Sequence, residues 1–225
     1  MYNSFDYTLE MMRLSSQNVG SFRDADIDNN CRFFHVVQRA FRRYKLLVGN
    51  TAWQYHTLIE SKSPEYGVLP ICQVIMPTHV HEIFYTEDIR NISSLKAMAG
   101  RQASRTMNRF REESNKKRLV RLFDTRPGYI AINDRIQLLI TMKYIRDNDI
   151  NMREEDDKAS YSCFDYWAKG DFKSYGVSNV AKLFNLTPAG LTELLNKDRS
   201  YVIRFAESFN NKTIEVEDKV LFKKK

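Results

Sequence analysis

The segment that most constrains the fold is "VLPICQVIMPTHVHEIFYT", residues 68–86. Two runs of β-branched and aromatic residues flank Pro77-Thr78, and the pattern predicts two strands joined by a tight turn. Successive side chains on a strand point to opposite faces, so residues i and i+2 share one. His79 and His81 therefore project side by side, while Val80 and Glu82 point the other way. A chain with four histidines has placed two of them as neighbours.

The rest of the chain supplies partners for this pair of strands. "CRFFHVVQRAF" reads as an earlier strand, and "NTAWQYHTLIESKS" as a helix opening on Asn50 or Thr51 as N-cap. "DIRNISSLKAMAGRQASRTMNRFREE" predicts a long helix and "PGYIAIND" a short strand. "RIQLLITMKYIRDND" has helical periodicity, with Ile136, Leu139, Ile140 and Ile145 near one side. The order strand, helix, strand, strand, helix, strand is the split βαβ pattern of a ferredoxin-like α+β domain with an antiparallel sheet. The last helix is an addition to it.

Three segments follow from the pattern. Residues 1–30 are polar and form an N-terminal extension; 31–150 hold the main domain; 151–225 form a helical C-terminal extension. In the last, "NMREEDDKAS" is a charged linker and "SNVAKLFNLTPAGLTELLNK" two short helices joined near Asn185. Thr187-Pro188 starts the second of these, since proline suits a first helical turn. The pair resembles a helix-turn-helix and equally a packing hairpin. "VEDKVLFKKK" is a basic, solvated tail.

Composition removes several classes of function. Cys31, Cys72 and Cys163 are odd in number, widely spaced and form no CxxC pair, against a disulfide framework or zinc ribbon and in keeping with a reducing cytoplasm. The first residues are too polar for a signal peptide, and no apolar run is long enough to span a bilayer. The expectation is a cytoplasmic protein with no membrane partner.

The histidine pair invites a chemical reading. Two adjacent imidazoles repel each other when both are charged, whereas neutral imidazole is a common metal ligand. "MKYIRDND" carries Tyr144 and, four residues on, Asn148. Residues i and i+4 share a helix face, so phenol and amide can address one site. Asn148 is then a candidate third ligand beside His79 and His81. Tyr144 is a candidate nucleophile, which needs a base or positive centre to shed its proton. His35 and His56 are assigned structural roles.

"HVVQRAFRR", "VIMPTHVHEIF" and "MKYIRDND", in this order and spacing, resemble the HUH-type single-tyrosine transposases of bacterial insertion sequences. The nearer likeness is to REP-associated tyrosine transposases, whose "YIxxN" segment matches Tyr144 to Asn148. The resemblance covers about residues 31–150. It implies a ferredoxin-like fold, Mg²⁺ or Mn²⁺ held by His79 and His81, and attack by Tyr144 on single-stranded DNA beside a hairpin. The product is a 5′-phosphotyrosyl link with a free 3′-hydroxyl, which a second strand end can reverse. The family also implies a homodimer.

Charge agrees with a polyanionic partner. The chain has 35 basic against 28 acidic residues, and ten of the basic ones fall between Arg90 and Arg121 against Glu112 and Glu113. Arg101, Arg105 and Arg109 recur at four-residue steps and form a stripe, with Lys116 and Lys117 beyond it. Arg39, Arg42, Arg43 and Lys45 form a second patch. Such a surface tracks phosphates; a solvated helix face is the plainer alternative. Three further readings stay open: a replication or mobilisation initiator with the same tyrosine chemistry, a non-catalytic DNA-binding regulator, and a structural ferredoxin-like module with no nucleic-acid role.

Overall fold

The computed structural model describes residues 32–124, 127–151, 158–173 and 176–208. The N-terminal extension, Cys31, most of the charged linker and the basic tail lie outside them.

Five strands form one sheet: β1 (Phe33–Arg39), β2 (Val68–Met76), β3 (His79–Thr86), β4 (Gly128–Ile132) and β5 (Tyr161–Ser162). Their spatial order is β4-β1-β3-β2-β5, with every neighbour antiparallel. The first four strands, with helices α1 (Gly49–Lys62) and α2 (Ile89–Glu113), give the ferredoxin-like arrangement that the sequence pattern predicts. Met76 stands opposite His79, so Pro77-Thr78 is a two-residue turn. Its carbonyls are not left bare: Ala40 N–H donates to Thr78 O at 2.8 Å and Leu47 N–H to Pro77 O at 3.0 Å.

Helix α1 starts at Gly49 rather than at Asn50 or Thr51, and Val48 occupies the cap position without a side-chain bond. The chain leaves buried Leu46 and Leu47 through Gly49 at φ +49°, a left-handed turn that glycine accepts without Cβ strain. Helix α2 is capped by Asp88, whose carboxylate accepts from Arg90 N–H at 2.9 Å. It buries Ile92, Leu95, Ala99, Ala103 and Met107 at helical spacing. Arg101, Arg105 and Arg109 run along its exposed side.

The register assigns each face of the sheet its cover. Val36, Val80, Glu82 and Gln73 share one face, under α1 and α2. Val37, His79, His81 and Ile83 share the other. There lies α3 (Arg135–Asn151), whose Leu138, Leu139, Met142 and Ile145 are fully buried. A sheet sandwiched between helices buries both faces, which is why β2 and β3 read as nearly unbroken apolar runs.

Residues 158–208 pack onto this body. Strand β5 extends the sheet at β2, and α4 (Cys163–Ala168) inserts Trp167 and Phe164 into the core. Next come α5 (Val177–Leu183), α6 (Pro188–Leu195) and α7 (Arg199–Glu207). The helix pair predicted around Asn185 is present as α5 and α6: Asn185 turns at φ +55°, and Thr187 caps α6 by accepting from Gly190 N–H at 3.0 Å. Helix α6 buries Leu191, Thr192, Leu194 and Leu195 and exposes Ala189 and Glu193. It packs against α4, α5 and α3. Among the described residues no helix is long and apolar enough to cross a membrane.

Candidate active site

Tyr144 and the histidine pair meet on one face of the sheet within a single chain. The His79 and His81 rings lie 4.9 Å apart between centroids and nearly perpendicular. The Tyr144 ring is 5.7 Å from that of His81 and edge-on to it. Tyr144 is half-buried, so its ring is held while part of it reaches the surface.

A third imidazole joins the cluster. His35, on β1, lies with Nε2 3.1 Å from His81 Nδ1, and both rings are buried. The Tyr144 ring is 6.2 Å from it. No local pattern separates His35 from other strand histidines, because its neighbour is 46 positions away. Only the pairing of β1 with β3 creates the contact.

The Nδ1 atoms of both histidines are engaged by neighbours. His79 Nδ1 is 3.0 Å from Thr78 Oγ1, and His81 Nδ1 is taken by His35. In the tautomer in which each Nδ1 carries the proton, both Nε2 atoms keep a lone pair, the usual arrangement around a metal-binding histidine. Burial, then the positive charges of Arg39 and Arg43, push His79 down to about 4. His81 is held well below the ordinary histidine range by burial and by its two imidazole neighbours. Both rings are thus neutral at neutral pH, the form in which imidazole coordinates a cation.

Asn148 follows Tyr144 by one helical turn. Its buried Nδ2, a hydrogen-bond donor, has no partner among the described residues. Among the described residues there is no group of three or more His, Cys, Asp and Glu side chains able to hold a metal ion.

Cationic groups border the histidines. Arg39 stands directly across from His79 in the β1–β3 ladder and is half-buried. Beyond it, Arg42 and Arg43 have φ of +51° and +53°, a left-handed backbone that costs a non-glycine residue on the order of 1 kcal/mol or more. The turn is pinned by Arg42 N–H donating to Asp124 Oδ2 at 2.7 Å, and Arg42 stacks its guanidinium over Phe41. Of the other predicted phosphate contacts, Arg101, Arg105, Arg109, Lys116 and Lys117 are all exposed. They lie on and just after α2, the helix on the opposite side of the sheet from Tyr144.

Helix α3 is fixed in place by the C-terminal segment. Lys143 Nζ donates to Asp147 at 2.7 Å and to Leu195 O at 3.1 Å. Arg146 Nε donates to Asn196 Oδ1 at 2.6 Å, and its guanidinium lies over Phe164. Arg135 donates to Leu183 O at 3.1 Å. Two of these anchors flank Tyr144 in sequence, so residues 158–208 set the position of the candidate nucleophile.

The other face of β3 holds a buried polar network. Glu82 and Lys96 form an ion pair with neither side chain exposed. Gln73 Nε2 donates to Glu82 at 2.7 Å, Lys96 donates to the Tyr55 hydroxyl at 2.9 Å, and Tyr55 donates weakly to Glu82 at 3.3 Å. Gln73 Oε1 is 2.9 Å from His56 Nδ1, which ties His56 into this network. Cys72 and Cys163 are buried free thiols.

A scan against protein-family models matches none, and a search of curated proteins finds no match. Among solved structures, 51% of this chain aligns with 88% of a chain described as "a putative transposase from deinococcus radiodurans r1". The two share 15% sequence identity with a TM-score of 0.37.

Proposed function

We propose that this protein is a metal-dependent, single-stranded DNA nicking and strand-transfer enzyme of the single-tyrosine HUH type. One observation carries the reading: the Tyr144 ring lies 5.7 Å from His81, whose neighbour His79 presents a second neutral imidazole. A phenol packed merely for burial has no need of such neighbours.

In this reading His79, His81 and the Asn148 amide hold Mg²⁺ or Mn²⁺. When bound, the ion polarises the scissile phosphate and lowers the cost of forming a phenolate. Arg39 and Arg43 place positive charge beside His79 and orient the strand through its phosphates. Tyr144 Oη attacks phosphorus, the bond to the 3′-oxygen breaks, and the strand remains attached through a 5′-phosphotyrosyl ester. The phosphodiester is conserved as an ester, so a second 3′-hydroxyl can reverse the step without an energy source. Phenol and imidazoles converge inside one chain, so the attack needs no tyrosine from a second copy; a homodimer would pair two complete sites.

The test uses a pool of end-labelled single-stranded and hairpin oligonucleotides with Mn²⁺. The expected result is a protein–DNA adduct resistant to denaturation, abolished by EDTA and by Tyr144→Phe. No adduct across the pool, or one that survives Tyr144→Phe, defeats the proposal. The competing reading is a DNA-binding regulator without chemistry. It is favoured by the lack, among the described residues, of a group of three or more His, Cys, Asp or Glu side chains able to hold a metal ion. Tight hairpin binding indifferent to EDTA and without cleavage would identify it.

A further inference from the structure

A cavity of about 860 Å³ opens on the side of the sheet remote from Tyr144, between α2 and the segment that follows it. That volume lies within the range of small-molecule and cofactor sites. Phe123, Tyr129, Gly100 and Ala97 give it apolar surface, and Val120, 92% exposed, stands at its edge. Phe123 seats tightly on α2 because residue 100 is glycine: a Cβ there would meet its ring at 3.3 Å.

The charges around this cavity do not cancel. Of the cations lining it, Lys96 is matched by Glu82, Arg90 by Asp88, Arg118 by Glu112 and Arg121 by Asp124. Arg101 and Arg105 also line it and have no carboxylate partner among the described residues. They stand one helical turn apart on the exposed side of α2. Two uncompensated guanidiniums at the mouth of an apolar cavity describe a ligand with a flat apolar body and a doubly charged anionic group. An aromatic ring inside would meet Phe123 and Tyr129, and a guanidinium accepts a phosphate through two parallel hydrogen bonds.

We infer that this cavity binds a nucleoside phosphate, base inward, with the phosphate on Arg101 and Arg105. Two sources can supply that chemistry: a free nucleotide, or one unstacked nucleotide of a DNA strand running along α2. The second source rests on the proposed function; the first does not.

The experiment uses the full chain and two variants, Ala97→Trp and Arg101→Gln/Arg105→Gln. Ala97 is exposed and lines the mouth, so tryptophan fills the cavity without entering the core. Circular dichroism melting confirms that each variant folds. Binding of dAMP and of inorganic phosphate is measured by calorimetry. A single-stranded oligonucleotide carrying 2-aminopurine at successive positions is followed by fluorescence.

Tight dAMP binding, with phosphate alone much weaker and both variants weaker by on the order of tenfold or more, establishes a free-nucleotide site. A position-specific 2-aminopurine signal lost in Ala97→Trp, with dAMP silent, assigns the cavity to the strand. Binding of dAMP and the oligonucleotide unchanged by Ala97→Trp overturns the inference, as does phosphate binding equal to dAMP binding. Adduct formation through Tyr144 is scored separately. An intact adduct without Ala97→Trp-sensitive binding removes only the cavity, and the reverse outcome removes only the strand-transfer reading.

Discussion

Separating Glu82 from Lys96 is the sharpest physical test of this fold. Both side chains are essentially without solvent contact, at 0% and 1%. Lys96→Met leaves the carboxyl with only the Gln73 and Tyr55 donors, and it stays in the core only as the neutral acid. Protonating a glutamate of ordinary acidity at pH 7 costs roughly 3–4 kcal/mol. Glu82→Gln strands the ammonium instead, and neutralising an ordinary lysine at pH 7 costs roughly 4–5 kcal/mol. Both fall near the ~3–5 kcal/mol expected for breaking a buried pair.

The two variants then differ in sign with pH. In Lys96→Met the folded state binds a proton that the unfolded state lacks above about pH 5, so stability recovers as pH falls, by roughly 1.4 kcal/mol per unit. In Glu82→Gln burial holds the lysine below its usual range, the direction it already takes in the intact protein. The unfolded state now binds the extra proton, and stability rises with pH by a similar slope. The double variant Glu82→Leu/Lys96→Met removes both charges and should lie within about 2 kcal/mol of the parent. Urea unfolding between pH 5 and 9 measures all three. Single variants costing under about 1 kcal/mol, slopes of the same sign, or a double variant costing the sum would refute the account.

Other expectations follow from the site and its supports. Tyr144→Phe should abolish the covalent adduct while moving the melting midpoint little, since the ring is half-buried and keeps its packing. His35→Ala should weaken Mn²⁺ affinity by roughly 10–100-fold without touching the ion, because His81 loses the partner that fixes its ring. Calorimetric titration reads this, and unchanged affinity would make His35 a packing residue. Asn196→Ala should cost about 1 kcal/mol and raise hydrogen exchange in α3, since Arg146 loses its acceptor. Gly176→Ala should destabilise by about 1–3 kcal/mol, as a Cβ there would lie 2.8 Å from Ile71 Cδ1; a midpoint unchanged in urea would refute it.

Much of the architecture was written locally. The tight Pro77-Thr78 turn, the alternation that aligns His79 with His81, the Asp88 and Thr187 caps and the left-handed Asn185 are decided by residues within a few positions of each other. So is the spacing that puts Tyr144 and Asn148 on one side of α3, and Arg101, Arg105 and Arg109 on one side of α2. The strand-helix order then leaves few ways to stack the elements, and the ferredoxin-like sheet follows.

The tertiary structure decided whatever depends on register between distant segments. His35 meets His81 because β1 pairs with β3 in one register, and a slip by one residue would send it to the far face. Glu82, an anomaly within an apolar strand, becomes intelligible once Lys96 arrives from α2. The start of α1 was missed because a left-handed glycine, and not a capping side chain, sets it. The role of residues 158–208 in anchoring α3, and the cavity beside the arginine stripe, have no local signature at all. Periodicity records which way a side chain points; what it meets there is fixed only when the chain closes on itself.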